Sequence, residues 1–285
     1  MKHTSYLFLA LLFSCSITKY QKKGEVNPVS FHEKLSFTTV KNLILLPVEI
    51  DGQPKNMLFD TGAQLNLIQR NSPQGKTSNV GGASNQKAKL GSEITESIKI
   101  GEVEFNQTAA WNGDLKGLKE QISDFGGIIG QSIINKANWK IDYPNQQIEL
   151  ASKGFSVEGF QKIEIIREEG IPYVMLNIEG KEYKAVIDLG SSSNGINIPT
   201  NHPLADQLLN QYEFKENERE IYTIGGSQNI TEQIGIIPSV KVGEIVFNEV
   251  AVDIRKSSQL RVGMYFFKDK VLIIDHITRG YFISE

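Results

Sequence analysis

One cysteine, Cys15, stands in 285 residues, so no internal disulfide can form. Histidine is scarce too: His3, His32, His202 and His276 lie far apart without metal-ligand spacing, which argues against a metal centre. Neither sign of charge is in excess. With 30 Lys and Arg against 33 Asp and Glu, and the basic residues scattered among the acids, the basic stripe of a nucleic-acid binder is missing. No apolar run reaches the roughly 20 residues that span a bilayer. Long helical periodicity is also rare, the one helix-like patch being "HPLADQLLNQYEF" (202–214). The two tryptophans, Trp111 and Trp139, read as core residues. Two apparent catalytic motifs fail for want of context. "DFG" (124–126) has no phosphate loop or H-R-D partner, and "GSSSNG" (190–195) does not match G-x-S-x-G.

The N-terminus has its own character. "MKHTSYLFLALLFSC" places a lysine before an apolar run from Tyr6 to Phe13, then Ser14-Cys15, the layout of an export signal. "LFSC" resembles the bacterial lipoprotein box, which implies lipid attachment at Cys15. The expected order is a signal peptide over 1–15, a polar tether over 16–36, and a folded part beginning at Phe37 that is exported and held to a membrane by its lipid.

Beyond the tether the chain repeats itself. "LLPVEIDGQPKNMLFDTGAQLNLI" (45–68) aligns without gaps with "YVMLNIEGKEYKAVIDLGSSSNGI" (173–196). In each copy a strand meets a tight turn, Asp51-Gly52 or Glu179-Gly180, and a second strand returns to end on an aspartate. "VGGASNQ" (80–86) then matches "IGGSQNI" (224–230), and "IKIGEVEFNQTAA" (98–110) matches "VKVGEIVFNEVAV" (240–252). "GGIIGQSIINKANWKIDYPNQQIEL" (126–150) matches "QLRVGMYFFKDKVLIIDHITRGYFI" (259–283), an apolar-Gly step, a short helix and a last hairpin. The predicted fold is all-β, two homologous barrel-like lobes over 37–155 and 156–285 with a cleft between them. Helix 202–214 is an insertion in the second lobe.

Asp60 and Asp188 hold the same place in the two copies, each at an apolar strand end and two residues before a glycine, Gly62 or Gly190. A pseudo-twofold would bring them face to face. Two carboxyls at hydrogen-bond distance share one proton, which lets one activate a water and the other polarise a carbonyl. If the Ser191 hydroxyl donates to Asp188, that residue is the charged member and Asp60 the protonated one.

The sequence here resembles the aspartic peptidase clan in its single-chain, two-lobed arrangement, with short lobes closer to retropepsins than to pepsin. "FDTGA" (59–63) matches the clan's signature and "GGIIG" (126–130) its downstream apolar-apolar-Gly element. The resemblance covers about 40–285. It implies a catalytic pair Asp60 and Asp188, active-site loops Thr61-Gly62-Ala63 and Leu189-Gly190-Ser191, and flap tips at Gly81-Gly82 and Gly225-Gly226; Tyr222, just before the second Gly-Gly turn, reads either as a hydrogen-bonding group over bound peptide or as a half-buried strand aromatic. It also implies polypeptide as substrate and no metal or organic cofactor; a complete second repeat points to a monomer. The second loop departs from the pattern, because Leu189 stands where the clan has a threonine whose hydroxyl bonds across to the opposite loop. Two alternatives therefore stay open beside endopeptidase action. One is a lipid-anchored peptide-binding protein with impaired turnover, the other a dimer active through first lobes alone.

Overall fold

The computed structural model describes residues 17–82 and 87–284. The signal segment and Cys15 lie outside the described residues. Strands dominate; the helices are short, at 17–21, Lys116–Lys119, Gln131–Ile134 and Pro203–Gln211, with a 3₁₀ turn at Met264–Phe267. None of the described helices is long and apolar enough to cross a membrane.

Both predicted hairpins form. Leu43–Ile50 pairs with Gln53–Phe59, and Ile171–Ile178 with Lys181–Ile187. The two central residues of each turn have positive φ, from 50° at Asp51 to 77° at Gly52, the geometry that two-residue hairpin turns demand. Phe125–Ile129 then lies parallel to Gln53–Phe59, as Arg261–Val262 does to Lys181–Ile187. Ile128 faces Leu58 and Arg261 faces Val186, so repeat-equivalent residues make equivalent pairs. Each copy closes its own sheet, one of nine strands between Glu25 and Ile129 and one of eight between Ile166 and Val262.

A third sheet of six strands joins the copies. At its centre Asn138–Asp142 runs antiparallel to Val271–Asp275. Lys140 faces Ile273, its own repeat counterpart, while Trp139 faces Ile274 and Ile141 faces Leu272. That register, in which each residue meets the other's equivalent, is the signature of a twofold axis. The core runs continuously across the axis, with Trp139 fully buried and its ring 5.0 Å from Phe59 below the first aspartate.

The expected tether is instead part of the fold. His32–Ser36 pairs with Gln147–Ala151 at one edge of the shared sheet, and Phe160–Ile163 pairs with Gly280–Ser284 at the other. Leu150 faces Glu33 and Ile283 faces Gln161, so these too are repeat equivalents. Upstream, Glu25–Asn27 pairs with the strand Val103–Gly113, and the buried Gln21 side chain donates to Gln64 O at 3.0 Å and Glu169 O at 2.9 Å. Polarity misled the reading, because an edge strand alternates exposed and half-buried residues and needs few apolar ones.

Candidate active site

Each aspartate caps a buried strand and is tied to the strand beside it: Asp60 N–H donates to Ile129 O at 3.0 Å, and Asp188 N–H to Val262 O at 2.9 Å. The loops that follow interlock. A Cβ placed on Gly62 would lie 2.9 Å from Asp188 Cγ, and one placed on Gly190 would lie 2.3 Å from Asp60 Cγ. Glycine is required at both positions by this close approach, with neither backbone in the left-handed region. Asp60 and Asp188 thus come together from the two copies.

Among the described residues, Thr61 is the loop side chain that bonds across to the backbone of the opposite loop. Its buried hydroxyl donates to Ile187 O at 2.6 Å and accepts from Leu189 N–H at 3.0 Å. Leu189, fully buried, cannot reciprocate and packs into the core shared by the lobes. Around the first loop, Gly62 and Ala63 N–H donate to Asp60 Oδ1 at 2.7 and 3.1 Å, and the Gln131 amide donates to Thr61 O at 2.7 Å. Asn66 Oδ1 accepts from Gly130 N–H at 3.0 Å. The second loop is held differently: Ser193 Oγ bonds Asp253, whose other oxygen accepts from the Asn197 amide at 2.9 Å.

Burial, then the charge of Asp188 and the hydrogen bond shared with it, hold the Asp60 carboxyl well above the ordinary carboxylate value, against the opposing pull of the Gly62 N–H and of Arg261. The expected Ser191 contact is not the source of asymmetry. The Ser191 hydroxyl accepts from Ser193 N–H at 3.4 Å, whereas the group beside Asp188 is Arg261, with Nε 3.5 Å from Asp188 Oδ2. This arginine carries no motif of its own, although the repeat alignment sets it opposite Ile128 in an apolar-apolar-Gly step. A charge in that slot was the available signal.

Both aspartates, with Gly62, Ala63 and Gly190, line a pocket of about 480 Å³ between the lobes. Gly81, Gly82 and Tyr222 line it from above, as expected of two hairpins reaching over a cleft. Thr77–Gly81 pairs with the start of Lys87–Ile100; the tip between them, beyond Gly82, is outside the described residues. The second hairpin, Phe214–Thr223 with Gly226–Val242, is longer and turns at 224–225. Gly225 and Gly226 sit at that turn and do not line the pocket; Tyr222, Thr223 and Ile224 do. The Tyr222 hydroxyl bonds Glu220, and Lys41 Nζ lies 3.7 Å above its ring. Trp111 differs from expectation. It is half-buried and lines the pocket, whereas Trp139 is a core residue whose indole N–H donates to Ile134 O at 3.0 Å.

Models of known protein families were compared with the chain and none matches; no curated protein matches it either.

Proposed function

We propose that the chain is an aspartic endopeptidase with the two-lobed fold of that clan, hydrolysing peptide bonds with a water held between Asp60 and Asp188. The observation that carries this reading is a pair of carboxyls, one from each copy, meeting at the floor of a cleft, the Asp60 carboxyl held well above the ordinary carboxylate value by burial and by the charge of Asp188. An ionised Asp188 takes a proton from water as its oxygen attacks the peptide carbonyl carbon, while Asp60 gives its proton to the carbonyl oxygen. The tetrahedral diol then collapses: the C–N bond breaks as Asp188 gives its proton to the leaving nitrogen and Asp60 takes one from a diol hydroxyl, so the pair again holds a single proton. No covalent enzyme intermediate and no cofactor enters. Substrate lies extended across the cleft, pairing through its backbone with the overhanging hairpins. Export and lipid attachment at Cys15 belong to the same proposal, with the anchor leading directly into the fold at residue 17 and no free tether.

The full-length chain in detergent should cut a mixed peptide library between about pH 4 and 7, where a carboxyl pair holds one proton. A statine-type transition-state mimic should stop it. Peptide binding with no cut product would instead favour the impaired binding protein, whose motivation is Leu189.

A further inference from the structure

The two walls of the cleft carry different residues at equivalent positions. On the first-lobe side Leu58, Leu67, Trp111 and Ile128 make an apolar surface. On the second-lobe side the counterpart of Ile128 is Arg261, with Gln259 and Tyr173 beside it. Arg261 is 2% exposed. Of the five donors of a guanidinium, its side chain makes one hydrogen bond among the described residues, from Nη2 to Ser258 Oγ at 3.2 Å. Nε faces Asp188 at ion-pair distance without hydrogen-bond geometry, and Nη1 has no partner among the described residues. A cation this buried and this sparsely bonded is costly unless something else accepts from it, and a carboxylate matches the planar fork best. The two pocket-lining glutamates are otherwise engaged: Glu168 pairs with Lys184 Nζ at 2.6 Å, and Glu169 accepts from the Gln64 amide at 2.7 Å.

We propose that Arg261 forms an acid-accepting subsite beside the dyad, so that the preferred substrate carries glutamate or aspartate on one side of the scissile bond and an apolar residue on the other. This rests on the peptidase reading. The apolar half is received by the wall around Ile128. The acidic half places its carboxylate on the part of Arg261 that lines the pocket, while Nε continues to face Asp188, an arginine being able to serve two carboxylates from different N–H groups.

The test uses the full-length chain and peptides identical except for Glu, Gln or Leu at the residues flanking the bond, at about pH 5.5, where a free glutamate is ionised. Native protein should favour Glu over Gln at one flanking position by at least about tenfold in kcat/KM. Arg261→Met should bring that ratio to about one, read from calorimetric binding of the Glu and Gln peptides should loss of the ion pair with Asp188 also slow turnover, and Arg261→Lys should keep part of it. Equal cleavage of Glu and Gln peptides by native protein, or a preference that survives Arg261→Met, would overturn the subsite. Should no peptide be cut at all, hydrolysis fails, and calorimetric binding of the same peptides decides the subsite alone: tighter binding of Glu than Gln supports it, equal affinity removes it.

Discussion

The loop after Asp60 and the loop after Asp188 descend from one design and reach the same position by different means. The first is polar and locally self-sufficient, with two N–H groups on its aspartate, a glutamine on its carbonyl, and a threonine hydroxyl bonding across to the second. The second contributes an apolar side chain to the core and borrows Thr61 for its connection. It is braced from behind by Ser193, Asp253 and Asn197, and charge-balanced by Arg261. A twofold site therefore does not need twofold chemistry. Once one hydroxyl supplies both a donor and an acceptor across the axis, the other position is released to pack.

The largest expected effect breaks the pair itself. Asp60→Asn and Asp188→Asn should each lower kcat by about 10³-fold or more in a peptide-cleavage assay, because a general acid–base partner is removed. Cleavage persisting in Asp188→Asn alone would mean that first loops of two chains work together. Next comes the lock. Thr61→Val leaves the Ile187 carbonyl and Leu189 N–H buried without partners, at about 1–3 kcal/mol each. Chemical denaturation should show a loss of about 2–6 kcal/mol on that basis. Leu189→Thr should cost less, because lost apolar burial of about 1–3 kcal/mol is offset by new cross-loop bonds worth about 0.5–1.5 kcal/mol each. Equal losses would say that the two loops are not as unlike as described.

A third effect is pH dependence. Asp60 binds its proton more tightly folded than unfolded, so the folded state holds more protons from the ordinary value of 3.8 up to its raised one. Stability should then fall as pH rises through that window, by about 1.4 kcal/mol for each unit of difference, and level off above it. Denaturation midpoints measured against pH should show this slope in native protein and a flatter curve in Asp60→Asn. The smallest effect is Ser191→Ala, expected to change stability by less than about 0.5 kcal/mol and to leave the pH–rate profile unmoved, since among the described residues its hydroxyl makes a long bond to Ser193 and none to Asp188. A shifted acid limb in that variant would restore the serine as the source of asymmetry.

Much of this was legible in the residues because repetition and alternation are local. The Asp-Gly and Glu-Gly turns, the strands leading to Asp60 and Asp188, and the apolar-Gly steps at 126–130 and 261–263 all declare themselves within short windows. The same alignment runs gaplessly upstream from Leu45 to His32, and there polarity concealed an edge strand that only its partner, Gln147–Ala151, makes visible. Trp111 and Arg261 were hidden for a related reason. An aromatic or a cation on a strand reads alike whether it faces a core, a cleft or a second carboxylate, and which it faces depends on segments far away in the chain. By itself the sequence determined that two like β units exist and that each carries one aspartate at a strand end. The tertiary structure decided that Thr61 reaches from the first loop to the backbone of the second, that Leu189 packs, and that a guanidinium stands beside the pair. Those outcomes follow from the packing of two lobes about an axis that no single stretch of chain contains.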